Sequence, residues 1–255
     1  MSDNLFSLDG KTALITGASS GLGAHFAKVL SRAGATVILA ARRTDKLTDL
    51  VNEINKDGGV AFATPLDVTD TSSVITALDY CGQQVGKIDI LINNAGVASS
   101  NTCLNISSQE WDNTMDTNLK GVWLLATEVA KRMIGNGGGS IVNLASILGL
   151  RVGIGQTSYA VSKAGVVQIT KSMALELGRK GIRVNALCPG YFKTEMNEDF
   201  FDTDKGKSYI SQMPAKRLGQ LHELDGAILL LCSEAGSFIN GVALPVDGGH
   251  LVSSL

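Results

Sequence analysis

Short β-branched runs and longer segments of helical period alternate along the whole chain. Apolar runs occupy Thr12 to Thr16, Thr36 to Ala41, Val60 to Thr64, Ile88 to Ile92, Ser140 to Ala145, Ile182 to Leu187 and Val242 to Val246. Between them lie amphipathic stretches, including Leu22 to Ala33, Asp45 to Lys56, Val74 to Gln84, Trp111 to Met133 and Tyr159 to Arg179. Strands that are apolar at nearly every position are covered on both faces, and their alternation with helices builds a parallel sheet between two helical layers. The pattern therefore predicts an α/β, doubly wound sheet. Ser107 and Glu110 have the spacing of a capping box, Thr44 is placed to cap the helix that follows it, and Gly58 stands where that helix should stop. The glycine run from Gly137 to Gly139 reads as a turn into the strand at Ser140. With no repeat, linker or low-complexity stretch, the 255 residues are read as one domain.

Composition narrows the partners. The chain is 44% hydrophobic and 18% charged with a formal net charge of -2, and its cations are scattered, which argues against a nucleic-acid footprint. Cys81, Cys103, Cys188 and Cys232 lack the spacing of a zinc site or a disulfide framework, and His25, His222 and His250 carry no metal spacing. The amino-terminal segment has no basic stretch followed by an apolar one, and no run approaches the roughly 18 apolar residues that span a bilayer. These features predict a cytoplasmic protein that handles a small molecule, with no membrane partner and no metal.

After the first strand comes Thr16-Gly17-Ala18-Ser19-Ser20-Gly21-Leu22-Gly23, and then a helix. Glycines at Gly17, Gly21 and Gly23 let the backbone turn sharply and approach a diphosphate, while the helix start offers N–H groups and the positive end of its dipole. Gly17, Ser19, Ser20, Gly21, Leu22 and Gly23 are thus predicted to bind a dinucleotide. Three more segments fall at ends of successive strands: Ala41-Arg42-Arg43, Leu66-Asp67-Val68 and Asn93-Asn94-Ala95-Gly96. Asp67 and Val68 suit the adenine, and Asn94, Ala95 and Gly96 the adenosine ribose. An NAD site usually places an acid near the end of the second strand, where a 2′-phosphate would be repelled. Here Ala41 stands in its place and Arg42 follows, which favours NADP; Arg43 either shares that phosphate or is a solvated cation.

Tyr159 and Lys163 are four residues apart on a predicted helix and so share one face. Ser146 closes the predicted fifth strand, at the same carboxyl edge as the glycine loop. These residues also have plain structural readings, Ser146 as a turn hydroxyl and Tyr159 as an interface aromatic.

Taken in order, Thr16 to Gly23, Asn93 to Gly96, Asn118, Ser146, Tyr159, Lys163, Pro189-Gly190 with Thr194, and Asp247-Gly248-Gly249 resemble the motifs of the short-chain dehydrogenase/reductase family, in its short single-domain branch, from about Leu8 to Gly249. The resemblance implies a Rossmann-like sheet of seven mainly parallel strands in the order 3-2-1-4-5-6-7. It implies NAD(H) or NADP(H) as cofactor and assembly as a homotetramer or dimer. It assigns Tyr159 as proton donor, Ser146 as a hydrogen-bond donor to the same substrate oxygen, Lys163 as the cation that lowers the phenol pKa and holds the nicotinamide ribose, and Asn118 as the anchor of a water chain. Pro189, Gly190, Phe192 and Thr194 would cover the nicotinamide, and residues 195–217 would form a substrate lid. Leu148, Val152, Gln156, Tyr191 and Met196 are expected to line a largely apolar substrate pocket without an arginine clamp for a carboxylate. The long helices are expected to pair with a symmetry mate through Val122, Leu125, Val129, Val166, Ile169 and Met173. The expected activity is an NADPH-dependent ketoreductase. An NAD-linked alcohol, sugar or steroid dehydrogenase and a catalytically inactive dinucleotide sensor are the alternatives.

Overall fold

A computed structural model describes residues 4–98, 101–194 and 198–253. Its centre is a seven-stranded sheet in the order β3-β2-β1-β4-β5-β6-β7, every pairing parallel. The strands are β1 (Thr12–Thr16), β2 (Thr36–Ala41), β3 (Val60–Pro65), β4 (Ile90–Asn93), β5 (Gly139–Leu144), β6 (Ile182–Pro189) and β7 (Ala243–Val246). Side chains on a strand alternate between faces. Ala13 and Ile15 of β1 accordingly join one core with Val37, Leu39 and Val142, while Leu14 joins another with Ile38, Leu91 and Ile141. Covering both faces is what makes the strands read as unbroken apolar runs.

The first core is closed by α1 (Gly21–Arg32), α2 (Thr44–Lys56) and α9 (Asp225–Cys232), through Phe26, Leu30, Leu47, Leu50, Ile228 and Leu231. The second is closed by α3 (Thr71–Val85), α5 (Gly121–Ile134) and α6 (Thr157–Leu177). Two short helices, α7 (Glu198–Phe201) and α8 (Asp204–Gln212), fill the connection from β6 to α9. The capping box at Ser107 and Glu110 is present, and Gly58 adopts φ +87° just past α2. Thr44, expected as a cap, is instead the first residue of α2, behind Arg43, whose side chain makes no capping bond. Among the described residues no helix is long and apolar enough to cross a membrane, and no metal-holding cluster is found.

Two expectations need correction. The segment read as one helix, Trp111 to Met133, is α4 (Ser108–Met115) and α5 joined by a π-helical turn at Asp116–Lys120. Its hydrophobic period runs on through the extra residue of the π turn, so periodicity does not reveal the break. Second, Val122, Leu125, Val129, Val166 and Met173 are buried in the chain's own cores, and Ile169 packs at their edge. The sheet needs the buried members of that stripe as cover, so of the six only Ile169 is left to face outward. What faces outward is a shallow apolar groove containing Leu119, Trp123, Gly165 and Ile169, with Trp123 48% exposed.

Candidate active site

The strand order reverses between β1 and β4, and in an open parallel sheet the ligand crevice opens beyond the carboxyl ends of the strands at such a switch point. A cleft of about 370 Å³ lies there, lined from the glycine loop and the ends of β2 and β3 to Tyr159 and Lys163. Thr16, the last residue of β1, latches the two sides together. Its hydroxyl accepts from the backbone N–H groups of Asn94 and Ala95, both at 3.0 Å, and Asn94 Nδ2 donates to the Thr16 carbonyl at 2.9 Å. Gly17 has φ +62°, and a Cβ there would press within 2.9 Å of Asn94 Nδ2. A Cβ on Gly23 would collide with the Gly17 carbonyl, so this glycine serves the approach of α1 to the turn.

The start of α1 fits an anion. Ser20 at its cap makes no side-chain capping bond, and the first turn contains no acid. Its N–H groups therefore remain to be met from the cleft side. A Cβ on Gly21 would meet nothing nearer than Thr194 at 3.9 Å, so a phosphate can come close to the backbone. Arg43 lies across this loop, donating to Ser19 Oγ at 3.0 Å and Ser20 Oγ at 2.9 Å, and Arg42 lines the same end of the cleft. Asp67 accepts from the Thr69 N–H at 2.9 Å and the Thr69 hydroxyl at 2.7 Å. Those bonds hold its carboxyl below the usual range, so it stays an ionised acceptor.

At the other end, α6 carries Tyr159 and Lys163 one turn apart, with the Lys163 ammonium 5.7 Å from the Tyr159 ring centroid. Lys163 Nζ donates to the Leu144 carbonyl at 2.6 Å. An ammonium has three donors, so two remain for the cleft that Lys163 lines. Burial pushes its pKa down to about 8. Burial also pushes the Tyr159 phenol up, and the nearby Ser146 hydroxyl pulls the other way. Ser146 is buried just beyond β5, where its Oγ accepts from the Leu148 N–H at 3.1 Å. Asn118 is fully buried in the π turn: Oδ1 accepts from the Val97 N–H at 2.8 Å, and Nδ2 donates to the Val97 carbonyl at 2.9 Å and to Ser162 Oγ at 3.3 Å.

A family model described as enoyl-(acyl carrier protein) reductase matches residues 17–250. Gluconate 5-dehydrogenase of Gluconobacter oxydans is 41% identical over 251 residues, covering 98% of each chain. The 3-oxoacyl-(acyl-carrier-protein) reductase of Thermotoga maritima is 37% identical, covering 96% of this chain and 99% of its own. Among solved structures, a gluconate 5-dehydrogenase from Burkholderia cenocepacia in complex with NADP and tartrate superposes with a TM-score of 0.95 at 36% identity, covering 98% of this chain and 99% of that one. This chain belongs to the short-chain dehydrogenase/reductase family.

In this short-chain dehydrogenase/reductase the cleft brings together Gly17, Ser19, Ser20, Gly21, Leu22, Arg42, Asp67, Val68, Asn94, Ala95, Gly96, Tyr159, Lys163 and Thr194. Asn118 and Ser146 stand directly behind it, through Val97 and Tyr159. Other predicted residues are not among those that line this cleft. Gly190 packs against Asp247, where a Cβ would come within 2.8 Å. Phe192 turns its ring into the core against Gly219, because the short β-bridge between these two residues ties the chain down there. Pro189 ends β6, paired with Val246. Leu148 is buried, Val152 is 83% exposed and so walls off nothing, and Gln156 is the residue before α6. Tyr191 sits in an aromatic cluster, and Met196 lies outside the described residues. In the chain by itself burial outweighs Ser146 and raises the Tyr159 phenol, whereas the expected depression involves Lys163 together with the oxidised nicotinamide. Sequence reasoning left Arg43 undecided and missed the Thr16 latch and the Leu144 carbonyl under Lys163. A carbonyl has no side-chain signature. Arg43 differed from Arg42 only by one position in a basic pair.

Proposed function

We propose that this oxidoreductase is NADP(H)-dependent and interconverts a carbonyl with a secondary alcohol, working chiefly as a ketoreductase. The observation that carries the reading is Tyr159, with the Ser146 hydroxyl near enough to act on its phenol and Lys163 one turn on, at one end of a cleft whose other end holds Arg42 and Arg43. Relatives of both kinds, a sugar-acid dehydrogenase and an oxoacyl reductase, agree with chemistry on a CH–OH carbon.

NADP, when bound, supplies or takes up the hydride at the substrate carbon. The glycine loop and the open N–H groups of α1 hold the diphosphate, and Arg42 and Arg43 hold the 2′-phosphate by charge-assisted hydrogen bonds. Asp67 and Val68 border the adenine, and the remaining donors of Lys163 bind the nicotinamide ribose. In reduction the Tyr159 hydroxyl gives its proton to the carbonyl oxygen, which becomes the alcohol, while Ser146 donates a second hydrogen bond to that oxygen. A tyrosine phenol, with a pKa of about 10, is protonated at neutral pH, the form that a reductase needs. Asn118 fixes Val97 and the π turn beside Lys163 and anchors the water through which the proton is replaced. The described residues then form a single domain; of the lid expected at residues 195–217, residues 195–197 lie outside the described residues and 198–217 cover the substrate, and four copies assemble through the groove at Trp123 and Ile169.

The test is NADPH oxidation by the purified protein against a panel of ketones, beside the same assay with NADH. A higher kcat/KM with NADPH on any ketone, abolished in Tyr159→Phe, supports the reading. Turnover that survives Tyr159→Phe overturns it.

A further inference from the structure

Near Tyr159, apart from the residues that line the cleft, stands a wall of side chains that is polar as well as aromatic. Tyr191 follows β6, the strand next to β5, beyond which Ser146 lies, and it is close enough for the charge of Tyr159 to act on its phenol. The Tyr191 ring meets Phe201 at 5.4 Å, Tyr209 at 5.5 Å and His250 at 5.5 Å between centroids. Its hydroxyl accepts only a long 3.5 Å bond from that of Tyr209, so both hydroxyls retain hydrogen-bonding capacity.

Two further groups in the wall are underused. His250 is nine-tenths buried, yet its Nδ1 has no hydrogen-bond partner. Arg151 reaches the same place from the loop after Ser146, donating from Nη1 to the His250 carbonyl and, at 3.3 Å, to Ser253 Oγ. Its charge acts on both Tyr191 and His250. Among the described residues no carboxylate pairs with it, because the nearby Asp247 is engaged by the N–H groups of Gly249 and Leu251, at 2.9 and 2.6 Å. The Nη2 and Nε donors of the guanidinium fork remain. The expectation was an apolar pocket without an arginine clamp; the fold places Arg151 against His250 and Ser253, in the cluster around Tyr191.

Resting on the oxidoreductase reading above, we infer that the substrate is a small polyhydroxylated carboxylic acid, its carboxylate met by Arg151 and its hydroxyls by Tyr191, Tyr209 and His250. A long acyl chain or a steroid would leave Arg151, His250 and both phenols unmatched. A guanidinium fork recognises a carboxylate in a way an uncharged sugar cannot exploit.

The experiment compares three ketones with the full-length protein and NADPH: 5-ketogluconate, fructose as a polyhydroxylated ketone without the carboxylate, and an acetoacetyl thioester of N-acetylcysteamine. The keto acid is expected to exceed fructose in kcat/KM by about tenfold or more, the scale of one charge-assisted hydrogen bond. Arg151→Gln should collapse that ratio towards one, and Arg151→Lys should restore part of it. Because Arg151 also ties down the carboxyl-terminal segment, Tyr209→Phe gives a second test. It removes a hydroxyl without changing shape and should lower kcat/KM for both polyhydroxylated ketones relative to the thioester. Preference for the thioester, or a ratio unmoved in a folded Arg151→Gln protein, overturns the inference while leaving the oxidoreductase reading intact. Failure of all three ketones with both NADPH and NADH overturns both.

Discussion

Asn118 grips Val97 at both backbone groups, accepting from its N–H at 2.8 Å and donating to its carbonyl at 2.9 Å. The grip joins the loop after β4 to the π turn, and it lies next to Lys163: a Cβ on Gly96 would be 3.2 Å from Asn118 Oδ1 and 3.7 Å from Lys163 Nζ. Asn118→Leu keeps the branching of the side chain but leaves both Val97 groups and the Ser162 hydroxyl without this partner. A loss of about 2 kcal/mol or more is expected, at roughly 1–3 kcal/mol for each buried group left unpaired. Thermal unfolding of the variant beside the parent measures it, and an unchanged Tm would show that the π turn does not depend on Asn118.

Replacing Tyr159 by Phe removes the proton donor and keeps the ring. We expect kcat to fall on the order of 100- to 10,000-fold, the range for general acid catalysis, with NADPH binding retained by fluorescence titration. Loss of binding in step with kcat would point to a structural role for the phenol.

The pH profile should separate the two directions. Lys163, pushed down to about 8 by burial, is charged below that pH and neutral above it. Carbonyl reduction, which also needs a protonated Tyr159, should therefore hold through neutrality and fall as pH rises through about 8. Alcohol oxidation needs the phenolate and should rise with pH from neutrality until the same loss of the ammonium opposes it. In Lys163→Arg the guanidinium stays charged, so the alkaline fall in reduction should disappear whatever happens to the absolute rate. A fall that persists in that variant would assign it to another group.

Cofactor choice should follow the cations at the end of β2. Removing Arg43 takes away the side chain that spans Ser19 and Ser20, and removing Arg42 takes away its neighbour on the cleft. Each loss should lower kcat/KM for NADPH by about tenfold, one charge-assisted hydrogen bond, with little change for NADH. Ala41→Asp combined with Arg42→Ala should reverse the preference by repelling the 2′-phosphate. Equal use of NADH and NADPH by the parent protein would contradict the charge argument.

Assembly should run through the groove on α5 and α6. Light scattering at micromolar concentration should give the mass of four chains. Trp123→Glu, at a half-exposed position outside the cores, should shift that mass downward while leaving the thermal transition of the chain in place. A monomeric parent protein would dispose of the proposal.

Local sequence determined much of this protein. Apolar runs fixed the places of β1, β2, β3 and β6 to within one or two residues, because a strand covered on both faces has to be apolar throughout. The turn at Gly17 and Gly21 was legible because each has positive φ, a conformation that side chains resist. The pairing of Tyr159 with Lys163 was legible from helical spacing alone. Tertiary structure decided what depends on distant parts of the chain meeting. It set the π turn that buries Asn118, and the choice of Leu144 as the partner of Lys163. It put Phe192 in the core, and it buried the stripe at Val122, Leu125 and Val129 instead of presenting it to a second copy. It also carried Arg151 to His250, 99 residues away in sequence. Periodicity reports which face of an element is apolar, but what that face meets, and how far burial moves a proton equilibrium, are properties of the packed chain.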